Sequence, residues 1–371
     1  MKIGILTYHR SHNYGALLQA FALQTYLRGL VHETEVVDYW PNYHSQEYKL
    51  IPYFNAKSFK GKIKSILLLF IGYPRILKRS RQYKKFIKKQ FNLSDKPLYI
   101  KAKTMKEAEY DVVIYGSDQI WRKQNYPLFK GFDEIYFGSN PLFARKKVSY
   151  AASMGVINLK DEDRVFLKKM MNNFDVISVR ESNLKKVLEN VIGREISLAL
   201  DPVFLLDKEK WQTLIPERKI KEKYILLYQL VPSEESIKLT NKLQGNNGYK
   251  VIEIRGRVNS LLFGKRYMQT ESPFEFLSLI NNAEFVVSTS FHGAAFSLIF
   301  EKQFYAVGMG NNSGRILTLL SSLEIENRYL QKIEGVNIKE TIDYINVNKK
   351  LIENRENSIC FLKNALCGKD I

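Results

Sequence analysis

The sequence predicts an α/β protein made of two doubly wound domains that face a cleft. The chain has 371 residues, too many for one ordinary core, and 45% of them are hydrophobic, enough to fill two. Short apolar runs that end in glycine or polar residues alternate with segments of helical apolar spacing, the order that builds parallel sheets. The alternation stops near Pro202 to Pro216 and restarts at Lys223. The expected division is therefore a first domain over 1–206 with a basic helical insertion at about 48–94, a second over 217–345, and a helical tail over 346–371.

Taken in order, KIGILTY (Lys2 to Tyr8) reads as a strand, HRSHNYG as a loop and ALLQAFALQTYLRGL as a helix. TEVVDYW (Thr34 to Trp40) follows one crossover later, which makes it parallel to the first strand. AEYDVVIYGSDQIW, ARKKVSYAASMG and FDVISVRESNLKKVL each contain a buried-type strand with small or polar residues at its carboxyl end. SLALDPVFLL (Ser197 to Leu206) is expected as a last strand entering the linker. The second block reads YILLYQLV as a strand, a helix through Lys242, YKVIEIRGR as a strand, and then SPFEFLSLINNAEFVVSTSFHGAAFSLIF as helix, strand, loop and helix. QFYAVGMG (Gln303 to Gly310) is its next strand. Ligands of parallel sheets bind beyond the carboxyl ends of the strands, so the candidate residues are sought there.

Several classes are set aside. The apolar start MKIGIL is too short for a signal-peptide core, and the longest apolar run, ILLLFIG, is far below the roughly 18–20 residues that span a bilayer. Two cysteines without CxxC spacing fit a reducing cytoplasm. Five scattered histidines predict no metal, and Asp161-Glu162-Asp163 in KDEDR reads as a solvated face. Neither GxxxxGK[ST] nor GxSxG occurs, which leaves a P-loop nucleotidase or a nucleophile-elbow hydrolase without support.

The net charge is +19, and no acidic residue stands between Tyr48 and Ser94. Thirteen Lys and Arg fill that window, interleaved with Phe59, Ile63, Ile66, Leu67, Phe70, Ile76, Leu77, Tyr83, Phe86 and Ile87 at helical spacing. Two readings stay open, a solvated insertion packed on its own domain or an amphipathic face on an anionic membrane. No nucleic-acid-binding signature accompanies the charge.

The candidate site residues sit at strand ends. In VVSTSFHGAAFSLIF, His292 follows Ser288, Thr289 and Ser290 and precedes Gly293 at the start of a helix, a place with free N–H groups and a positive dipole end. It is either an anion-site acid or base, or a turn cap. Arg180 in FDVISVRES leaves a buried strand and needs an anionic partner. Asn13 and Tyr14 precede the first helix as possible sugar or phosphate contacts. In YGSDQIW, Asp118 is a general base or, more simply, a helix N-cap, and Trp121 is placed to stack on a sugar ring.

HNYGALLQAFALQ, YDVVIYGSDQIW, SYAASMG, ISVRES, LDPVFLL and VVSTSFHGAAFSLIF, in that order over about 1–330, resemble the polysaccharide pyruvyl transferase family. The resemblance implies a glycosyltransferase-B-like fold and transfer of pyruvate from phosphoenolpyruvate to two saccharide hydroxyls as a cyclic ketal, with no further cofactor. It implies donor binding and catalysis at the positions of Arg180 and His292. Many relatives read Arg, apolar, His at this turn, whereas Ser290, Phe291 and His292 stand here. Arg315 and Arg255 are the candidates to replace that guanidinium. A saccharide carried on a polyprenyl diphosphate at the inner face of the cell membrane fits the basic insertion. The competing readings are a nucleotide-sugar glycosyltransferase of the same architecture and a non-catalytic saccharide-binding protein.

Overall fold

The computed structural model describes residues 1–45, 48, 59–94 and 108–367. Lys49 and Lys57 of the basic stretch lie outside the described residues. In the first half, β1 (Lys2–Leu6), α1 (Tyr14–Gly29), β2 (Glu33–Val36), α2 (Asn42–Ser45), α3 (Phe59–Gln90) and β3 (Ala108–Tyr115) lead to a hairpin of β4 (Gln124–Tyr126) and β5 (Phe129–Gly131). Then come β6 (Leu142–Ala152), α4 (Asp161–Met171), β7 (Val176–Val179), α5 (Ser182–Ile192) and β8 (Ser197–Leu198). After α6 (Lys208–Gln212), the second half runs β9 (Tyr224–Gln229), α7 (Glu234–Asn247), β10 (Lys250–Arg255), β11 (Tyr267–Met268), α8 (Pro273–Asn281) and β12 (Phe285–Ser288). It ends with α9 (Phe291–Ile299), β13 (Gln303–Val307), α10 (Gly314–Ser322), β14 (Tyr329–Leu330) and α11 (Tyr344–Cys367).

Each half holds a six-stranded sheet, ordered β2-β1-β3-β6-β7-β8 and β11-β10-β9-β12-β13-β14, and every neighbouring pair is parallel. The strand order reverses between β1 and β3 in the first sheet and between β9 and β12 in the second. At these reversals adjacent loops diverge and leave a crevice.

α1 is buried nearly all round, as expected of a helix enclosed on every side. Asn13 caps it, and Leu17, Leu18, Leu23 and Leu27 are fully enclosed. Each such leucine contributes about 1.5–3 kcal/mol of burial. Its neighbours come from both domains: Phe21 faces Phe86 at 6.0 Å and Phe274 at 5.5 Å, and Tyr14 stacks on Phe276 at 4.4 Å.

Two segments differ from their sequence reading. Of the expected strand Ser197 to Leu206, only Ser197–Leu198 pairs, because Pro202 has no N–H to donate to a ladder and Asp201 instead caps a short 3-10 turn, accepting from the Val203 amide at 3.1 Å. In its described part the basic insertion forms one long helix, α3, whose cations are not all on its outer side. Arg79 is buried and donates to the carbonyls of Arg255 (3.0 Å) and Gly256 (2.9 Å) in the second domain, while Arg75 donates to Leu262 O (2.5 Å) and Ser260 O (2.9 Å). These arginines clasp the domains together.

α11 begins on the second domain, where the Tyr344 hydroxyl donates to Lys302 O at 2.5 Å. It ends on the first, where Leu200 N donates to Ser358 Oγ at 2.9 Å and Phe361 faces Tyr150 at 6.3 Å.

Candidate active site

The two sheet reversals open into one cleft of about 850 Å³. Tyr8, His12, Asn13 and Asp118 line it from the first domain, and Gln229, Arg255, Ser290, His292 and Arg315 from the second.

Behind Asp118, His292 and Arg315, which line the cleft, stands a charged bridge whose Arg180 and Asp201 do not themselves line it. Arg180, at the end of β7, has its backbone tied to Ala152 O at 3.1 Å and its side chain almost wholly buried. Nη1 donates to Asp201 Oδ2, and Nη2 lies 3.7 Å from Asp118 Oδ1. The same Asp201 oxygen is 3.5 Å from His292 Nε2, so one carboxylate of the first domain joins Arg180 to the histidine of the second. Burial pushes the Asp201 carboxyl up, but the Arg180 guanidinium and then the His292 ring outweigh burial and hold it well below the usual carboxylate range.

Arg315 completes the group from the first turn of α10. Its guanidinium lies 5.7 Å from the Phe291 ring, and that of Arg180 lies 5.1 Å from the same ring. Burial first, then the nearby Arg180 charge, brings the Arg315 pKa down to about 10. Among the described residues, Arg180 Nε and Arg315 Nε are buried without a hydrogen-bond partner, and Arg180 Nη2 and His292 Nε2 face carboxylates only at ion-pair distances of 3.7 and 3.5 Å. Buried donors of this kind need an acceptor.

Local geometry explains how His292 is held. It is the second residue of α9, and its ring crosses the domain boundary to lie against Gly15: a Cβ added there would sit 2.0 Å from His292 Nδ1. Glycine at position 15 is therefore what lets the ring seat. On the other side, Gly116 takes φ +114° and a Cβ there would meet Tyr150 O at 2.6 Å, which also calls for glycine.

Several sequence-predicted residues change role. Asp118 starts no helix: it has φ +68° and its carbonyl accepts from Ser153 N at 3.0 Å, an irregular bridge to the end of β6 that turns its carboxylate toward Arg180. Trp121 is no sugar platform. After that turn the chain points inward, and the indole is fully buried, stacked on Phe137 at 5.6 Å and donating to Tyr136 O at 3.0 Å. Tyr14 belongs to the domain interface and is fully buried, its hydroxyl donating to Glu271 O at 3.1 Å. Gly293 packs on Ser288 and Tyr228, where a Cβ would clash at 2.1 and 2.9 Å, and it does not line the cleft.

Asn13 lines the cleft while its side chain accepts from Gly15 N at 2.9 Å. Ser290 also lines it, with its amide donating to Ser288 Oγ at 3.0 Å. Arg255 reaches the cleft wall but donates to Glu253 Oε1 at 2.6 Å.

Two features escape the sequence reading. Asp201 lay inside the expected strand Ser197 to Leu206 and was not singled out, and only the fold brings it between Arg180 and His292. The aromatic wall is formed by Tyr8, His12, His44, Tyr48 and Tyr126 in place of Trp121. Burial first of all lowers His12 and His44 to about 4, so both rings are neutral at pH 7. Among the described residues no group of three His, Cys, Asp or Glu is placed to hold a metal ion, and no helix is long and apolar enough to cross a membrane.

Similar solved structures include the glycosyltransferase SnogD from Streptomyces nogalater, at 10% identity and a TM-score of 0.43, covering 98% of this chain and 99% of that one. A glycosyltransferase from Rickettsia africae ESF-5 has 11% identity and a TM-score of 0.45, with 98% of each chain covered. The UDP-GlcNAc 2-epimerase from Neisseria meningitidis has 10% identity and a TM-score of 0.42, covering 96% of this chain and 93% of that one. No curated protein matches the sequence significantly. The family model of polysaccharide pyruvyl transferase matches residues 13–311, a span that includes Asp118, Arg180, Asp201 and His292, and the chain belongs to that family.

Proposed function

We propose that the protein transfers pyruvate from phosphoenolpyruvate to two hydroxyls of a saccharide, forming a cyclic ketal and releasing phosphate. The carrying observation is the pair of guanidinium groups, Arg180 and Arg315, on one aromatic ring with buried unpaired N–H groups next to His292. The nearby carboxylates of Asp118, Glu181 and Asp201 offset the two charges, but Arg180 Nε and Arg315 Nε stay unpaired, and the carboxylate and phosphate of phosphoenolpyruvate are acceptors suited to them.

In this reading Arg180 and Arg315 hold the donor with the Ser290 turn, and Arg315 takes the place of the arginine that many relatives carry at position 290. Arg255 stays with Glu253. His292 gives a proton to the C3 methylene as one sugar hydroxyl adds to C2, with Asp118 accepting the hydroxyl proton. The second hydroxyl then bonds to C2 as the C2–O bond to phosphate breaks, and its proton leaves with the phosphate or returns to His292. Asp201 orients His292 and Arg180 and touches neither substrate. A correctly placed acid or base of this kind contributes about 10²–10⁴ in rate. The saccharide lies along the wall of Tyr8, Tyr48 and Tyr126. It is carried on a polyprenyl diphosphate during synthesis of a capsule or exopolysaccharide, with the protein in the cytoplasm at the inner membrane face.

The test is thermal protection by phosphoenolpyruvate against protection by uridine or guanosine diphosphate sugars. At a thousand times Kd the true donor adds about 4 kcal/mol. Incubation with phosphoenolpyruvate and lipid-linked oligosaccharides is expected to release phosphate together with an added ketal mass. Protection by a nucleotide sugar and none by phosphoenolpyruvate would overturn the reading.

A further inference from the structure

One outward stripe of α3 changes character along its length. Ile66, Leu67 and Phe70 are exposed on it, and about one helical turn at a time it continues through exposed Lys78, Arg81, Lys85 and Lys88. At about 1.5 Å per residue the stripe is roughly 33 Å long. Phe70 is 74% exposed, a large value for a phenylalanine on a helix that buries its other face.

The second domain extends the apolar end. Leu261 and Phe263 (62% exposed) stand on the loop that Arg75 grips through Ser260 O and Leu262 O, and the Arg75 guanidinium lies 4.5 Å from the Phe263 ring. Gly72 allows the close approach, since a Cβ there would meet Ser260 Oγ at 2.1 Å. The two domains thus present one apolar face. It borders the cleft, because Leu68 and Leu261 line the cleft wall.

We propose that this face docks on an anionic lipid bilayer and sets the mouth of the cleft against it. Charge decides the occupant. A stripe with an apolar end, a cationic end and no acidic residue from Tyr48 to Ser94 matches an interface with anionic headgroups, each cation adding to the attraction. A second copy fits poorly, because a two-fold contact sets the face against itself and brings like charges together. The proposal rests on the reading above for its purpose, delivery of a lipid-carried saccharide, and not for the docking.

The full chain is sedimented with phosphatidylcholine vesicles with or without phosphatidylglycerol. Binding is expected only with phosphatidylglycerol and is expected to weaken as salt rises. Neutralising Lys84, Lys85, Lys88 and Lys89 to Gln is expected to lower it at least about a hundredfold. Phe70→Asp with Phe263→Asp changes exposed side chains, so the fold survives, and is expected to abolish binding even at low salt. Protection by phosphoenolpyruvate stays at the parent level in both variants. Absence of binding to anionic vesicles, binding that ignores both variants, or a lipid-free dimer that the Phe70 and Phe263 changes dissociate would overturn docking. Docking without protection by phosphoenolpyruvate would overturn only the donor.

Discussion

Asp201→Asn keeps the shape of a side chain and removes one charge from the centre of the site. The parent carboxylate is fully buried, bonded to Arg180 and 3.5 Å from His292 Nε2. Removing one partner of a buried ion pair typically costs about 3–5 kcal/mol, because the other charge is left without compensation. Asp118, 3.7 Å from Arg180 Nη2, remains to offset part of this and sets the expectation near the lower limit, about 3 kcal/mol. In a domain of this size each kcal/mol moves Tm by about 2–4 °C, which gives a fall of roughly 6–12 °C at neutral pH. The pH dependence has a definite sign. The folded pKa of Asp201 lies below the unfolded one, so its contribution is complete above the ordinary carboxylate value near 4 and is lost as pH falls below it. The gap between parent and variant is therefore constant from about pH 6 to 8 and narrows below about pH 4. Thermal melts by circular dichroism, with urea titrations to check that the m-value is unchanged, measure it. A variant that melts within about 1 °C of the parent, or a gap that widens on acidification, would refute the bridge.

Two further outcomes test the site and its surroundings. Gly15→Ala places a methyl 2.0 Å from His292 Nδ1, so the ring must move; turnover is expected to fall about a hundredfold with an unchanged far-ultraviolet spectrum, read by phosphate release. Trp121→Ala empties a core position and is expected to cost about 3–5 kcal/mol in chemical denaturation without changing phosphoenolpyruvate affinity. A rise in acceptor KM with no loss of stability would instead restore Trp121 as a sugar platform.

How much of this was legible depends on the range of the signal. The parallel sheets were legible because buried strands and helices have different apolar periods, and because small residues such as Gly116 and Gly293 punctuate their ends. The position of Arg180 and His292 at strand ends was legible because each follows an apolar run, though the sequence left a turn cap open for His292. Asp201 was not, since Asp before Pro is what a capped turn requires, and that local role is also real. Trp121 and Tyr14 misled for a related reason. An aromatic residue at a strand end has no local property that says whether it faces a cleft or a neighbouring layer, and both lie under elements far away in sequence. Arg75 and Arg79 carry no mark that separates them from the outward lysines of the same helix; only the carbonyls waiting in the second domain do so.

The course of α11 bears on how the site keeps its shape. Besides the linker near Pro202 to Pro216, this helix crosses from one domain to the other, anchored by Tyr344 at one end and by Ser358 and Phe361 at the other. The linker is covalent, and the packed end of α11 adds a second, non-covalent hold on the first domain. Together with the α3 arginines that grip the second domain, these holds keep the two sheet ends in one register, and with it the seat of the His292 ring at Gly15.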